Sequence, residues 1–384
     1  MEHKDAGLRT DYYDRSCVEI DLDALRHNFE EIKKITTPGT GILAVVKADA
    51  YGHGAYETAT ALLECGAAGL CLATIDEAVE LRHRGITAPM MILGFTDKSR
   101  FADAVRYDIE QAVYSYEVAK ALSDEAVSQG REIKIHVKLD TGMGRIGFKT
   151  DGSDTEEIVK SCKLPGIVPY GVFSHFAVAD TDDDEYTMKQ FDAFMGQISR
   201  LESEGIVFAK KHICNSAGIM RFPQMHLDLV RAGIILYGLM PPGCPEPERK
   251  PDLIPVMNWY AKVIHVKTIP AGATVSYGRH FKAERETEVA TVGIGYADGL
   301  SRRLSNGFEL VLNGEKCPII GNVCMDMCMV DTTDLKVRPK VGDKVVVFGK
   351  DRLADDLADR LGTINYEITC DVGRRVRRIY TCKE

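Results

Sequence analysis

Lys47 closes Ile42–Val46, a short apolar run of strand type. At the end of such a run an ammonium is expected to be partly desolvated, with its pKa lowered. An amine of that kind forms imines with aldehydes; the plainer use is a lysine that snorkels to solvent. Other polar residues stand in the same relation to oily runs. Lys138, Asp140 and Arg145 end or follow Ile133–Leu139, and His175 follows Ile167–Phe173. Asn215 and Ser216 follow Val207–Ile213, and Arg231 follows Leu227–Val230. Ser216 and the Gly233-Ile234 amides are small donors near helix starts, which suits a phosphate; helix capping is the plainer use. Arg145 and Arg231 stay protonated, so each needs an anion or a lone-pair acceptor.

These residues need elements that bring them together. Eight strand-like runs are Ile42–Val46, Gly69–Ala73, Met90–Leu93, Ile109–Val113, Ile133–Leu139, Ile167–Phe173, Val207–Ile213 and Leu227–Val230. Helical patterns lie between or before them: Leu22, Leu25, Phe29 and Ile32, then Arg100 to Ala104, Tyr116 to Gln129 and Glu185 to Leu201. Strands oily on both faces, each followed by a helix, predict a parallel sheet with helical crossovers. Eight of them fit an α/β fold of the eight-stranded β/α (TIM) barrel kind, whose length is roughly 250 residues. An open doubly wound sheet is the rival, but no Gly-x-Gly-x-x-Gly follows the first run. A barrel carries its site at the carboxyl ends of its strands, where the polar residues above fall.

Pro241, Pro242, Pro245, Pro247, Pro251 and Pro255 put six of the 14 prolines into one short stretch. Such a segment is neither helix nor central strand. Beyond it, Ala290, Val292 and Ile294 alternate, as do Phe308, Leu310 and Leu312. Asn313-Gly314 between Phe308–Leu312 and Pro318–Ile320 predicts a hairpin, and Val345–Phe348 is a further strand. The expected organisation is a barrel over 1–240, its first residues free to pack with the β domain, a linker over 241–255, and a C-terminal mainly antiparallel β domain over 256–384.

Composition sets outer bounds. The 384 residues are 45% apolar and 27% charged, which fits a globular chain. The net charge of -9 makes general nucleic-acid binding a poor expectation. The acidic Met1–Arg15 segment lacks the apolar core of a secretory signal. Ala232 to Met240 is too short to cross a bilayer. The 11 cysteines contain no Cys-x-x-Cys pair. Cys324 and Cys328 have no partners at zinc spacing, so no metal is expected. Free thiols in a reducing cytoplasm are the reading.

The run Ala44-Val45-Val46-Lys47-Ala48-Asp49-Ala50-Tyr51-Gly52-His53-Gly54 matches the cofactor-lysine signature of the alanine racemases, pyridoxal 5′-phosphate enzymes with a β/α barrel and a C-terminal β domain. The chain resembles that family from about Val18 to Tyr380. The likeness includes Lys138 to Arg145, Ser174-His175-Phe176-Ala177, Asn215-Ser216-Ala217, Arg231-Ala232-Gly233-Ile234, Val275-Ser276-Tyr277-Gly278, Gly295-Tyr296-Ala297-Asp298-Gly299, Cys324-Met325-Asp326 and Asn365-Tyr366-Glu367. The resemblance implies that Lys47 holds the cofactor as a Schiff base and serves as one proton-transfer base. Tyr277, contributed by the second subunit of a homodimer, is implied as the opposite base. Tyr51, Ser216, Gly233, Ile234 and Tyr366 are implied to contact the phosphate, with Asn215 beside them. Arg231 meets the pyridine nitrogen. Arg145 meets the phenolic oxygen and the substrate carboxylate, which the Met325 N–H also faces. His175 buttresses Tyr277 and Arg231. Lys138 matches a lysine often carbamylated in the family, and Tyr296 and Asp326 line the substrate entrance.

Two departures are visible. Arg375-Val376-Arg377-Arg378 has Arg377 where the family often has proline, which is expected to loosen the last strand and leaves a role for Arg375 open. Asn322 stands where arginine is common, with an effect expected on a surface turn more than on chemistry. The implied reaction is interconversion of L- and D-alanine, supplying D-alanine for peptidoglycan. Tyr366 and Met325 are expected to crowd the side-chain pocket so that a methyl fits best, with serine a slow second substrate. Two rivals stay open. A decarboxylase on the same plan would want an acidic partner at the ring nitrogen, which Arg231 is not. A non-catalytic carrier of the cofactor would need neither Tyr277 nor the β domain.

Overall fold

The computed structural model describes residues 15–247 and 249–382. The acidic segment before Arg15 lies outside the described residues. The chain divides into two compact units, residues 25–254 and residues 1–24 with 255–384. The break falls at Ile254/Pro255, so most of the proline-rich stretch counts with the first of these units.

Strand β1, Ser16–Asp21, belongs to the second unit; the larger unit holds the next nine strands. These are β2 Gly41–Val45, β3 Gly69–Leu72, β4 Met90–Ile92, β5 Glu110–Val113, β6 Ile133–Asp140, β7 Phe148–Lys149, β8 Ile167–Phe173, β9 Lys210–His212 and β10 Leu229–Ala232. Eight pair in parallel in the order β10-β2-β3-β4-β5-β6-β8-β9, with the two-residue β7 on β6. Two backbone bonds join the free edges. Asp228 N–H donates to Lys211 O at 3.2 Å and Arg231 N–H to Cys214 O at 3.0 Å, which closes the ring. Every residue of β3, β4, β5 and β10 is buried, as strands packed on both faces require.

The crossovers are amphipathic helices. Tyr116–Ser128 buries Ala119, Leu122, Ser123 and Ala126, and the Ser115 hydroxyl accepts from Val118 N–H at its start. Asp184–Ser203 is capped by Asp183 and buries Phe194, Ile198 and Leu201 along one stripe. Two strands start later than the hydrophobic pattern predicts. Leu227 has φ 54°, outside the β region, so β10 begins at Leu229. Val207 is 69% exposed, and β9 begins only at Lys210.

The second unit is a mainly antiparallel sheet. It adds β11 Met257–Ile269, β12 Thr274–Val275, β13 Phe281–Lys282, β14 Thr287–Val292, β15 Glu309–Leu312, β16 Glu315–Pro318, β17 Cys328–Asp331, β18 Lys344–Phe348 and β19 Arg377–Thr381. The order is β16-β15-β18-β11-β1-β19, with β14 on β11 and β17 on β14. Only β1 and β19 run parallel among these neighbours. The thirteen-residue β11 is the spine, and a bulge between Val263 and His265 hands its second half to β14. Trp259 on it is buried and donates to the Ser16 hydroxyl at 3.0 Å.

Asn313-Gly314 makes the expected hairpin. Both residues have positive φ, 54° and 80°, the type I′ geometry that matches strand twist. The return strand is Glu315–Pro318 and not Pro318–Ile320, because a two-residue turn pairs Leu312 directly with Glu315. Arg377 opens β19, which pairs with β1 from Cys17↔Arg377 onward, so the last strand keeps its ladder without the proline. All eleven cysteines are free.

Candidate active site

Lys47 follows β2, and the next four residues are the most strained backbone near it. Ala48, Asp49, Ala50 and Tyr51 have φ of 53°, 53°, 53° and 54°, a left-handed turn built from residues that avoid it. Tethers hold it. Ala48 N–H donates to the Glu77 carboxylate at 2.7 Å, and Ala55 N–H to Asp49 Oδ1 at 2.8 Å. The other Glu77 oxygen accepts from Ala73 and Thr74 N–H, as part of the capping box of helix Ile75–His83. The turn buries Tyr51 with its ring 5.0 Å from that of Tyr237, whose hydroxyl donates to Val45 O at 2.8 Å.

Tyr51 meets Ser216 and Gly233. Ser216 Oγ accepts from Gly233 N–H at 3.1 Å. A Cβ on Gly233 would stand 3.0 Å from Tyr51 Oη and 3.5 Å from Ser216 Oγ. The missing side chain thus leaves a small cradle ringed by two hydroxyls and the start of the 3-10 turn Ile234–Tyr237. Asn215 has a different place: its Oδ1 caps the short helix Ser216–Arg221 by accepting from Gly218 N–H at 3.0 Å.

Arg231, on β10, is 3% exposed and paired only with lone-pair acceptors. Its guanidinium donates to Ser174 O at 2.7 Å, Ile213 O at 2.9 Å and His212 Nδ1 at 2.7 Å, with His175 Nδ1 at 3.3 Å. Burial pushes its pKa down to about 10, still protonated at neutral pH. His175 is held well below the usual histidine range, by burial first and then by the charges of Arg231, Arg145, Lys138 and Lys47. Four cations therefore act on one imidazole, and it stays neutral.

Lys138 ends its oily run almost fully buried, its Nζ donating to Leu139 O at 2.6 Å. Burial, helped by Arg231 and Arg145, lowers its pKa to about 7. The amine is therefore about half neutral near pH 7 and nucleophilic. Arg145 is exposed, on a loop that Asp140 shapes by accepting from Gly142 and Gly144 N–H at 3.0 Å each. A cluster this rich in positive charge suits an anionic ligand. A lysine amine, a hydroxyl-lined cradle and a buried cation together fit an aldehyde-bearing aromatic phosphate.

In the second unit Tyr277 is 72% exposed, in a turn that follows Ser276, whose φ is 67°. Asn322 fixes this turn. It is buried, its Nδ2 donates to Tyr277 O at 2.6 Å, and its backbone carbonyl accepts from the Ser276 hydroxyl at 2.6 Å. Asn322 thus acts on a turn, as expected, but it is buried rather than on the surface and holds the backbone of Tyr277. Met325 and Asp326 form an exposed loop docked by Tyr296 N–H on Cys324 O and Ala297 N–H on Met325 O, both 3.0 Å. Beneath it Asp298 is fully buried between Arg15, at 2.6 and 3.0 Å, and Arg375, at 2.7 Å. Arg375 also pairs with Asp326 at 2.8 Å, and Arg15 donates to Asp326 O at 2.9 Å. Arg375 therefore has a structural role, which the sequence left open. Tyr366 is half-buried on helix Asn365–Cys370.

Sequence reasoning missed Glu77, His212, Tyr237 and Arg15, and it placed Asn322 on the surface. Thr74-x-x-Glu77 is a readable capping-box pattern, but its reach to Ala48 is not.

Fold and cradle define the class, a β/α-barrel enzyme of the pyridoxal-phosphate type with an appended β unit. The family profile for the alanine racemase N-terminal domain matches residues 20–241, and that for the C-terminal domain matches residues 256–380. An alanine racemase of Clostridium tetani is 47% identical over 94% of both chains. A solved alanine racemase of Clostridium difficile superposes with TM-score 0.94 at 40% identity, covering 97% of each chain. One from Bartonella henselae, with covalently bound pyridoxal phosphate, gives 0.86 at 29% identity, over 96% of this chain and 100% of that one. The chain belongs to the alanine racemase family.

Proposed function

We propose that this protein interconverts L- and D-alanine with pyridoxal 5′-phosphate, supplying D-alanine for peptidoglycan in the cytoplasm. Among the described residues no helix is long and apolar enough to cross a membrane. The observation that carries the reading is the Tyr51–Ser216–Gly233 cradle beside the Lys47 turn, with Arg231 held by neutral acceptors. Lys47 would hold the cofactor aldehyde, and Tyr51, Ser216, Gly233 and Ile234 its phosphate, with Tyr366 and Asn215 in support. When bound, the cofactor supplies the electron withdrawal that acidifies the substrate α C–H.

The chain's own groups do the rest. Inversion needs one group to take the α proton from one face and another to return a proton to the opposite face. Lys47 Nζ and Tyr277 Oη fill these roles, each alternating between donor and acceptor. Tyr277 of the partner subunit serves each barrel, so the active form is a homodimer. Asn322 holds the Tyr277 turn in place. Arg231 only donates, so it would offer the cofactor's ring nitrogen a hydrogen bond but no proton. Arg145 and the Met325 N–H receive the substrate carboxylate, with Tyr296 and Asp326 at the entrance. His175, kept neutral, can accept from Arg231 and face Tyr277 without adding charge. Lys138, with a pKa of about 7, can take up carbon dioxide as a carbamate, replacing a cation beside Arg145 by an anion that steadies it.

Polarimetry on L-alanine tests the reaction: rotation should decay to zero, because mirror-image substrates have an equilibrium constant of one. Borohydride fixation should add the cofactor mass at Lys47. Tyr277→Phe should keep the cofactor and lose racemisation. Persistent rotation with the wild-type protein refutes the proposal; carbon dioxide release instead of inversion would favour the decarboxylase.

A further inference from the structure

A buried chain of hydrogen bonds leads from Arg231 to a carboxylate across the barrel. His212 Nδ1 meets the Arg231 guanidinium at 2.7 Å. His212 Nε2 meets His136 Nδ1 at 3.0 Å, and His136 Nε2 meets Glu110 Oε2 at 2.8 Å. Glu110, His136 and His212 are 7%, 1% and 0% exposed. Glu110 opens β5 at the amino end of the barrel, whereas the site lies at the carboxyl ends. The other Glu110 oxygen faces the half-exposed Lys134, at 3.7 Å.

The donors fix every proton in this chain. Arginine has no lone pair to offer, so His212 Nδ1 must accept. A neutral His212 then carries its proton on Nε2 and donates to His136 Nδ1. His136 in turn carries its proton on Nε2 and donates to Glu110, which must be ionised or turn its bare oxygen inward. One direction satisfies all three bonds, and the reverse sets two donors face to face at Arg231. The backbone makes room for it: a Cβ on Gly171 would lie 2.1 Å from His136 Nδ1, far inside van der Waals contact. Phe173 stacks on His212 at 5.2 Å and 7°, holding its plane.

We infer that Glu110 and His136 are positioning residues for Arg231, locking His212 as an acceptor so that the guanidinium presents its remaining N–H groups to the cofactor in one orientation. The chain moves no proton; it polarises in one direction, and bonds in such a series reinforce one another. Its catalytic consequence rests on the proposed function, but its tautomers do not.

Two measurements test it. In 15N-histidine-labelled holoenzyme near neutral pH, long-range 1H–15N spectra should show His136 and His212 neutral and protonated on Nε2. A proton on Nδ1 of either, or on both nitrogens, overturns the assignment. Glu110→Leu should lower kcat about tenfold or more with KM for alanine nearly unchanged, and should shift the cofactor absorption band. Glu110→Gln keeps a carbonyl acceptor for His136 and should recover most of that loss. His136→Phe cuts the chain at its middle and should give the same phenotype if Glu110→Leu does not fold. A kcat loss with wild-type absorption and tautomers would mean packing alone and overturns the positioning role, as would wild-type kcat in either variant. If the wild-type protein racemises nothing, the functional proposal fails, while the spectra still read the chain.

Discussion

Glu77→Gln is nearly isosteric, yet it should loosen the turn that follows Lys47. Four residues in left-handed geometry cost roughly 1–2 kcal/mol each, about 4–8 kcal/mol together. Glu77 offsets part of this by accepting Ala48 N–H on one oxygen and two N–H groups on the other. A glutamine must turn its NH2 toward one side. Facing Ala48 loses one bond and facing Ala73 and Thr74 loses two, so the Ala48 tether goes. A bond to a charged acceptor is worth about 1.5–3 kcal/mol, and the exposure here points to the lower end. About 1.5 kcal/mol raises the population of the opened turn roughly tenfold. If binding must re-form the turn, the cofactor Kd scales as the reciprocal of the closed fraction, so it rises toward tenfold only as the open turn becomes the major state, whereas exchange at the turn speeds roughly tenfold in either case. Absorbance titration of the apoprotein reads this, and amide exchange at Ala48 to Tyr51 reads the turn directly. An unchanged Kd with unchanged exchange would refute the idea that Glu77 restrains the strain.

Asn322→Ala removes the side-chain bond to Tyr277 O and keeps the Ser276 bond, which uses the Asn322 backbone carbonyl, so with one of the two bonds lost kcat should fall about tenfold with cofactor affinity unchanged; steady-state kinetics beside a cofactor titration check it. Lys138 has a folded pKa of about 7 against 10.5, so the unfolded chain binds more protons between those values and the Lys138 contribution to stability rises with pH across that window. Its neutral fraction rises through pH 7 as well, so 13C-bicarbonate should label a carbamate at pH 8 that Lys138→Arg abolishes and that is absent at pH 5.5, read by 13C NMR. Arg375→Ala leaves Asp298 with Arg15 as its remaining cation and should cost about 1–3 kcal/mol, seen as a lower Cm in urea, while Arg375→Lys restores only part because it cannot bridge Asp298 and Asp326 with one planar group.

The barrel was legible because its strands are buried on both faces, which writes them as runs such as Met90-Met91-Ile92 with no polar alternation. The residues that end those runs were legible for the same reason, since a barrel leaves little choice about where Lys47 or Arg231 can point. Strand β11 was not. Its second half carries His265 and Lys267 on exposed positions, so no single period runs through Met257–Ile269. The left-handed turn was hidden because Ala48, Asp49, Ala50 and Tyr51 have no bias toward positive φ. Lys210-Lys211-His212 reads as a polar stretch, and only closure of the ring buries His212. Asn322 was misjudged because a turn residue looks superficial until Ser276 and Tyr277 are found bonded to it.

Two arginine sites show why pairing type follows task. Asp298 has no exposed surface and takes a guanidinium from each side, Arg15 and Arg375, plus the Gly295 N–H at 2.8 Å. Full ionic pairing suits a clamp, because removing a member of such a buried set exposes an uncompensated charge. The loop at Met325 and Asp326 inherits that rigidity through the same two arginines. Arg231 is treated in the opposite way. A carboxylate in direct contact would cancel its charge and compete for the N–H groups that would meet the cofactor in the proposed site. Carbonyls and neutral imidazoles satisfy its donors and leave its charge uncancelled. The nearest carboxylate along its hydrogen-bond chain stands two histidines away, at Glu110. A barrel that must attract an anionic cofactor while fixing one guanidinium in place can meet both demands only if the counter-charge is remote and the acceptors beside the arginine are neutral.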